Sequence, residues 1–215
     1  MSSTLKTTLK PARPSAKTSN NNQPNAGPLA RTNQLRIIGG SWRGRKLGFP
    51  DVEGLRPTGD RIRETLFNWL APEIQGARCL DLFAGSGALG IEALSRGAEL
   101  GLLVERDGKA AAQLRENLEL LKTERGRIIN SDALNFLQRA NAEDPFHIIF
   151  IDPPFQLNLW QAVIDALEAG NWLANDATIY IESNRDALYQ IPINWQLHRD
   201  KHTGQVNYRL YYREK

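Results

Sequence analysis

Cys79-Leu80-Asp81-Leu82-Phe83-Ala84-Gly85-Ser86-Gly87-Ala88-Leu89-Gly90 is the stretch that decides how this chain folds. Cys79 to Phe83 is an apolar run interrupted only by Asp81, the composition of a strand covered on both faces. Gly85 and Gly87 allow a tight turn and let a ligand approach the backbone closely. Leu89 to Arg96 then reads as a helix. A buried strand, a glycine turn and a helix form the opening unit of an α/β domain that binds a nucleotide-like ligand at its strand ends.

The alternation continues downstream. Leu100 to Glu105 reads as a strand and Lys109 to Leu121 as a helix. Ile128-Ile129 marks a strand and Ala133 to Arg139 a helix. His147 to Ile151 is a strand, Leu159 to Ala169 a helix and Thr178 to Glu182 a fifth strand. Strands alternating with helices form a parallel sheet with helices on both faces. The C-terminal stretch departs from that pattern: Trp195 to His202, Thr203-Gly204, and Gln205 to Tyr212 read as an antiparallel hairpin. An α/β fold with a mostly parallel seven-stranded sheet, closed by a C-terminal antiparallel hairpin, is the Rossmann-like layout of the class I methyltransferases.

Upstream, Arg56-Pro57-Thr58-Gly59-Asp60 leads into a helix with Ile62, Leu66, Trp69 and Leu70 on its apolar face. Thr58 or Asp60 is its expected cap, and Pro72 ends it. Leu35 to Ile38 and Trp42 to Phe49, joined by Gly39-Gly40-Ser41, read as a small N-terminal β-hairpin. Residues 1–33 are rich in Ser, Thr, Asn, Pro and Lys and are expected to stay disordered. The expected organisation is a basic, polar arm over 1–33, a hairpin extension over 34–55 and a cofactor-binding domain over 56–215.

Charge is unevenly spread. The 215-residue chain has a formal net charge of +3, yet nine of its 27 Lys and Arg fall within residues 1–50, with none of its 24 Asp and Glu. The rest holds 18 basic against 24 acidic residues. A basic arm on a mildly acidic body suits a polyanionic partner, and Arg36, Arg43, Arg45 and Lys46 would stand on the hairpin. Cys79 is the one cysteine, which excludes an internal disulfide and a four-cysteine zinc site. No apolar run is long enough to cross a bilayer and none resembles a secretory signal, so a cytoplasmic location and no membrane partner are expected.

Asp81 argues against a dinucleotide. A buried carboxylate at that strand end would repel a diphosphate. It can instead orient the glycine loop and the amino-acid end of a cationic cofactor such as S-adenosylmethionine. Glu105, ending the next strand, can take both hydroxyls of a ribose. Asp132, after the third strand, can accept from the adenine amino group or cap the following helix. The expected cofactor residues are Asp81, Phe83, Ala84, Gly85, Ser86, Gly87, Glu105, Arg106, Asp132 and Ala133.

Ile148-Ile149-Phe150-Ile151-Asp152-Pro153-Pro154-Phe155 carries the chemistry. Four apolar residues form a buried strand, and two prolines stop it and fix the backbone at the carboxyl end of a central strand. The exocyclic amine of a base is a poor nucleophile, because its lone pair is delocalised into the ring. Asp152 can accept from one of its N–H groups and the Pro153 carbonyl from the other, favouring a pyramidal nitrogen aimed at the methyl group. Pro153 and Pro154 make that geometry rigid, and Phe155 offers a stacking face for the base. His147, His198 and His202 do not form a metal set, and no metal is expected. Trp160, Trp172 and Trp195 read as core residues.

These residues resemble the amino-methyltransferases with the signature Asp/Asn-Pro-Pro-Phe/Tyr. From Leu35 to Lys215 the chain resembles more narrowly the RsmD-type 16S ribosomal RNA guanine-N2 methyltransferases. The matching pieces are Leu35 to Gly40, Trp42 to Arg45, Arg56 to Thr58, Arg61 to Asn68, Asp81 to Gly90, and Asp152 to Phe155. The resemblance implies a monomer that methylates one guanine of 16S rRNA in the 30S subunit or its late precursor, with Arg56, Pro57 and Thr58 helping to enclose the cofactor. Arg61 and Arg63 join the expected RNA-binding set. The competing readings are a DNA adenine-N6 methyltransferase, which shares the Asp-Pro-Pro signature, a protein glutamine methyltransferase, and a non-catalytic RNA-binding module. The first lacks an insertion for a base-reading domain, the second usually carries Asn at the Asp152 position, and the third leaves the cofactor residues without a use.

Overall fold

A computed structural model describes residues 1–2, 33–52, 58–139, 141–142 and 144–214. The disorder expected of the N-terminal arm therefore falls almost wholly outside the described residues. Strands β1 (Asn33–Arg36) and β2 (Lys46–Phe49) pair antiparallel, with Asn33 opposite Phe49 and Arg36 opposite Lys46. The hairpin thus begins two residues earlier than its sequence pattern suggests. Its second strand is shorter than expected, because Gly40–Trp42 winds into a single 3-10 turn. Gly40 adopts φ 73°, and a Cβ there would lie 1.9 Å from the Ser95 carbonyl oxygen. Only glycine fits that approach without strain.

Helix α1 (Asp60–Trp69) follows, then β3 (Arg78–Asp81), α2 (Gly90–Ser95), β4 (Leu100–Glu105), α3 (Gly108–Leu121), β5 (Gly126–Asn130), α4 (Ala133–Leu137), β6 (Phe146–Ile151), α5 (Trp160–Ala169), β7 (Leu173–Asn184), β8 (Trp195–Thr203) and β9 (Val206–Arg213). Among the described residues, seven strands form one sheet in the order β5-β4-β3-β6-β7-β9-β8. The first five are parallel, and β9 runs antiparallel between β7 and β8. This is the expected Rossmann-like sheet with its antiparallel closing hairpin.

Two apolar layers cover the sheet. Leu66, Phe67 and Leu70 of α1 and its end, Ile91 and Leu94 of α2, and Leu114, Leu118 and Leu121 of α3 pack on one face against Phe150, Tyr180 and Tyr208. Leu137 of α4 and Trp160, Val163, Ile164 and Leu167 of α5 pack on the other, against Leu80, Ile149 and Ile179. Each fully buried Leu or Ile contributes about 1.5–3 kcal/mol relative to exposure. Trp160, Trp172 and Trp195 are core residues, as their sequence context predicts.

The capping of α1 differs from expectation. Gly59 occupies the cap position with no side-chain bond to the helix. Thr58 turns instead to Asp152, and Asp60 lies in the first turn and pairs with Arg63. Asp107 caps α3 by accepting from the N–H groups of Lys109 and Ala110.

Candidate active site

The glycine loop spans β3 and α2 and is held from beneath by two carboxylates. Glu105, at the end of β4, accepts from the Gly85 N–H at Oε2 (2.7 Å) and from the Asp107 N–H at Oε1 (2.7 Å). Asp81, at the end of β3, accepts from the Gly90 N–H at 2.9 Å and also from the Phe83 N–H. Gly85 and Gly87 both take positive φ, 52° and 82°. A Cβ on Gly87 would collide with the Ile91 and Leu114 side chains, so glycine is required by the turn and by packing together. Between them the Ser86 hydroxyl is buried and has no hydrogen-bond partner. A buried, unpaired hydroxyl is costly, and one lodged in a glycine turn marks a place where a ligand supplies the missing partner.

Asp152 follows the last residue of β6. Its residue surface is partly open, while its carboxyl group is enclosed by protein. Thr58 Oγ1 donates to Asp152 Oδ2 at 3.3 Å, so Thr58, two residues before α1, meets the loop that follows β6. Pro153 is buried, and the Pro154 carbonyl accepts from the Leu157 N–H at 2.9 Å, which tightens the turn. Phe155 is half-buried, with its ring centroid 5.8 Å from that of Trp160. It is anchored in the core layer beneath the loop, with part of its surface left for a stacking partner.

One strand further, Glu182 is buried near the end of β7 and accepts from the Tyr180 hydroxyl at 2.9 Å. Sequence reasoning overlooked it. The signal was available, since an acidic residue ending a buried strand is what singled out Asp81 and Glu105. Burial raises the carboxyl groups of Asp152 and Glu182 above the ordinary range, and the Asp152 charge pushes Glu182 further up. Asp81 is pushed up to about 7, first by burial, with the Gly90 N–H opposing and the charges of Asp152 and Glu105 adding. Mutual repulsion among enclosed carboxylates is relieved by a cation or by new hydrogen-bond donors. A ligand carrying a sulfonium and an α-ammonium brings both, so Asp81, Glu105 and the unpaired Ser86 hydroxyl around the glycine loop fit S-adenosylmethionine.

The remaining expected residues separate into groups. Phe83, Ala84, Gly85, Ser86 and Gly87 line the turn above Glu105. Arg106 is exposed just beyond Glu105, whereas Ala133 is buried. Asp132 caps α4 through Oδ1, accepting from the Leu134 and Asn135 N–H groups. Arg56 and Pro57 lie outside the described residues.

Arg36, Arg43, Arg45 and Lys46 are exposed, as an RNA contact requires. The Arg45 guanidinium donates to the Leu120 carbonyl in the last turn of α3, and the Trp42 N–H donates to Ser95 at the end of α2. Arg61 is exposed beside Thr58. It lines a groove of about 470 Å³ with Thr65, Lys201, His202 and Tyr208, without a carboxylate in its lining.

Arg63 corrects the sequence reading. It is fully buried and cannot touch RNA. Its guanidinium binds Glu92 (3.4 Å) and Asp60 (2.6 Å), and donates to the carbonyls of Thr58 (3.2 Å) and Arg36 (2.9 Å). It ties α1, α2, the hairpin and the segment before α1 together.

Residues 35–212 match the profile of the family described as Conserved hypothetical protein 95. The ribosomal RNA small subunit methyltransferase D of Escherichia coli is 56% identical over 182 residues, which cover 84% of this chain and 91% of that one. The protein of the same description from Haemophilus influenzae is 49% identical over 180 residues, 83% and 93% of the two chains. A solved Escherichia coli structure, provisionally assigned as a methyltransferase, superposes with a TM-score of 0.79 at 52% identity, covering 85% of this chain and 99% of the other.

Proposed function

This chain belongs to the Conserved hypothetical protein 95 family, the RsmD-type methyltransferases, and from that premise we propose that it transfers a methyl group from S-adenosylmethionine to the exocyclic N2 amine of a guanine in 16S ribosomal RNA of the small subunit. The observation that carries the reading is the enclosed Asp152, held by Thr58 one strand from the glycine loop.

When bound, the cofactor supplies an electrophilic methyl on a sulfonium that is already a good leaving group. Asp81 and Glu105 hold the glycine loop in the shape that receives it, and Ser86 offers a free hydroxyl there. Asp152 accepts one amine N–H and the Pro153 carbonyl the other, turning the nitrogen lone pair toward the methyl. As the N–C bond forms, nitrogen gains positive charge, and Asp152 is placed to take the surplus proton. Fixing the amine in line with the methyl is positioning catalysis, which loses nothing to solvent reorganisation. Arg61 and Lys201, which line one groove with Gly59 and Tyr208, suit phosphates close to the target nucleotide. Arg36, Arg43, Arg45 and Lys46 suit phosphates farther along the RNA.

Labelled methyl transfer to 30S particles, naked 16S rRNA, DNA and release factor tests this reading. Label in 16S rRNA, recovered after digestion as N2-methylguanosine, is the expected result. Label in DNA as N6-methyladenine, or in protein, overturns it.

A further inference from the structure

The proposed mechanism leaves unused a second carboxylate beside Asp152. Ile151 of β6 and Ile181 of β7 are paired in register, so Asp152 and Glu182 follow at the same level of neighbouring parallel strands. Backbones there lie about 4.8 Å apart, and side chains at one level share a face. Glu182 is 6% exposed, and no Lys or Arg pairs with it among the described residues. Its Oε2 accepts from the Tyr180 hydroxyl, and its Oε1 takes no hydrogen bond from any described residue. Asp152 repeats the pattern, with Oδ2 held by Thr58 and Oδ1 open. The two side chains thus present a pair of carboxylate acceptors, each oriented by one hydroxyl and each with an oxygen to spare.

A guanine offers N1–H and the N2 amine side by side on its Watson–Crick edge. Adenine and 2,6-diaminopurine instead carry a lone pair at N1. We propose that Glu182 reads the N1–H of the target guanine while Asp152 holds the N2 amine, so that the carboxylate pair selects guanine against purines whose N1 is an acceptor. This rests on the guanine-N2 reading above. An enclosed carboxylate facing a lone pair is both desolvated and repelled, which is how a polar site rejects an analogue lacking the matching donor.

The test uses reconstituted small subunits whose target guanosine is replaced by 2,6-diaminopurine riboside, which keeps the 2-amine and changes only the N1 side of the edge and O6. The wild-type chain should methylate guanine with a kcat/KM at least about tenfold higher than the analogue, the scale of one charge-assisted hydrogen bond. Glu182→Gln can rotate its amide to donate to an acceptor N1. It should lower kcat/KM on guanine about tenfold or more and bring the two substrates within about threefold of each other. Cofactor affinity, measured by calorimetry, should stay the same. A wild-type ratio near one overturns the proposal without recourse to any variant. An unchanged ratio in Glu182→Gln, with both rates lowered equally, also overturns it and leaves Glu182 a packing role. Failure of the wild-type chain to methylate any guanine overturns the parent reading instead.

Discussion

Replacing Arg63 with Met keeps an unbranched, buried stem and removes the guanidinium. The guanidinium is wholly buried between α1 and α2 and meets Glu92, whose side chain is also wholly buried. Taking one partner from such a pair costs about 3–5 kcal/mol, because the other charge is left enclosed. Glu92 keeps the Arg96 guanidinium at 2.7 Å and the Ile38 N–H at 3.0 Å, which holds the ionic share of the loss toward the lower bound. The carbonyls of Thr58 and Arg36 lose a donor as well, each costing about 1–3 kcal/mol if no water replaces it. With the ionic share near about 3 kcal/mol, a total loss of about 3 kcal/mol follows if water replaces the donor at both carbonyls, and about 5–9 kcal/mol if it replaces neither. With a urea m-value of about 2 kcal/mol/M, the unfolding midpoint should fall by at least about 1.5 M. Equilibrium urea unfolding followed by tryptophan fluorescence reads this directly. Adding Glu92→Leu should recover at least about 1 kcal/mol, because the orphaned charge is then gone. A loss under about 1 kcal/mol in Arg63→Met would refute the reasoning. So would a fall of about 0.7–0.9 in the log–log salt slope of RNA binding by the folded variant, since that would make Arg63 a phosphate contact after all.

Asp152→Ala should abolish methyl transfer while calorimetry shows near-normal cofactor binding; undiminished turnover would remove Asp152 from the chemistry. Glu105→Ala frees the Gly85 and Asp107 N–H groups and should weaken cofactor binding at least about tenfold, and an unchanged calorimetric affinity would contradict that role. Thr58→Val removes the bond that lowers the Asp152 pKa, leaving burial to raise it further. In the proposed mechanism Asp152 acts as the carboxylate, so the acid limb of the kcat–pH profile should move to higher pH, and a shift to lower pH or none would count against the Thr58–Asp152 link. Neutralising Arg61 and Lys201 should raise KM for 30S substrate, and each lost phosphate contact should flatten its salt dependence by about 0.7–0.9; the quadruple Ala variant of Arg36, Arg43, Arg45 and Lys46 tests the hairpin in the same assay, and an unaltered slope there would exclude it as an RNA grip.

What the sequence could and could not reveal follows from the range of each signal. The strand, glycine turn and helix around Asp81 are local, so periodicity and residue type sufficed for them. The acidic strand ends are equally local, and Glu182 carries the same signal as Asp81 and Glu105. Arg63 is more instructive. Arg63, Leu66, Phe67 and Leu70 fall at i, i+3, i+4 and i+7, the spacing of a buried helical stripe, and the structure buries all four. The pattern therefore placed Arg63 inside, while its charge argued for the surface. What settles the conflict is Glu92, which is 29 residues away in a helix buried on every side. No local window contains that pairing. The shortened second hairpin strand has the same origin, since the Gly40–Trp42 turn is shaped by its fit against Ser95.

The acidic strand ends form a graded series rather than four equivalent sites. β4, β3, β6 and β7 are consecutive neighbours in the sheet, so Glu105, Asp81, Asp152 and Glu182 lie in one line along its carboxyl edge. Glu105 and Asp81 each accept from two backbone N–H groups, donors fixed by the turn itself. Asp152 and Glu182 each accept from a single hydroxyl, a rotatable group that fixes one oxygen and leaves the other open. Backbone donors shape the end of the line beneath the glycine loop, where the same cofactor must be seated at every turnover. Hydroxyl donors aim the acceptors at the other end without saturating them, where, on the proposed function, a base arrives with its own N–H groups and leaves methylated. A carboxylate already satisfied by the protein would have no differential affinity for an amine in the reactive geometry. In the proposed mechanism, incomplete satisfaction at Asp152 and Glu182 is thus a condition for transfer.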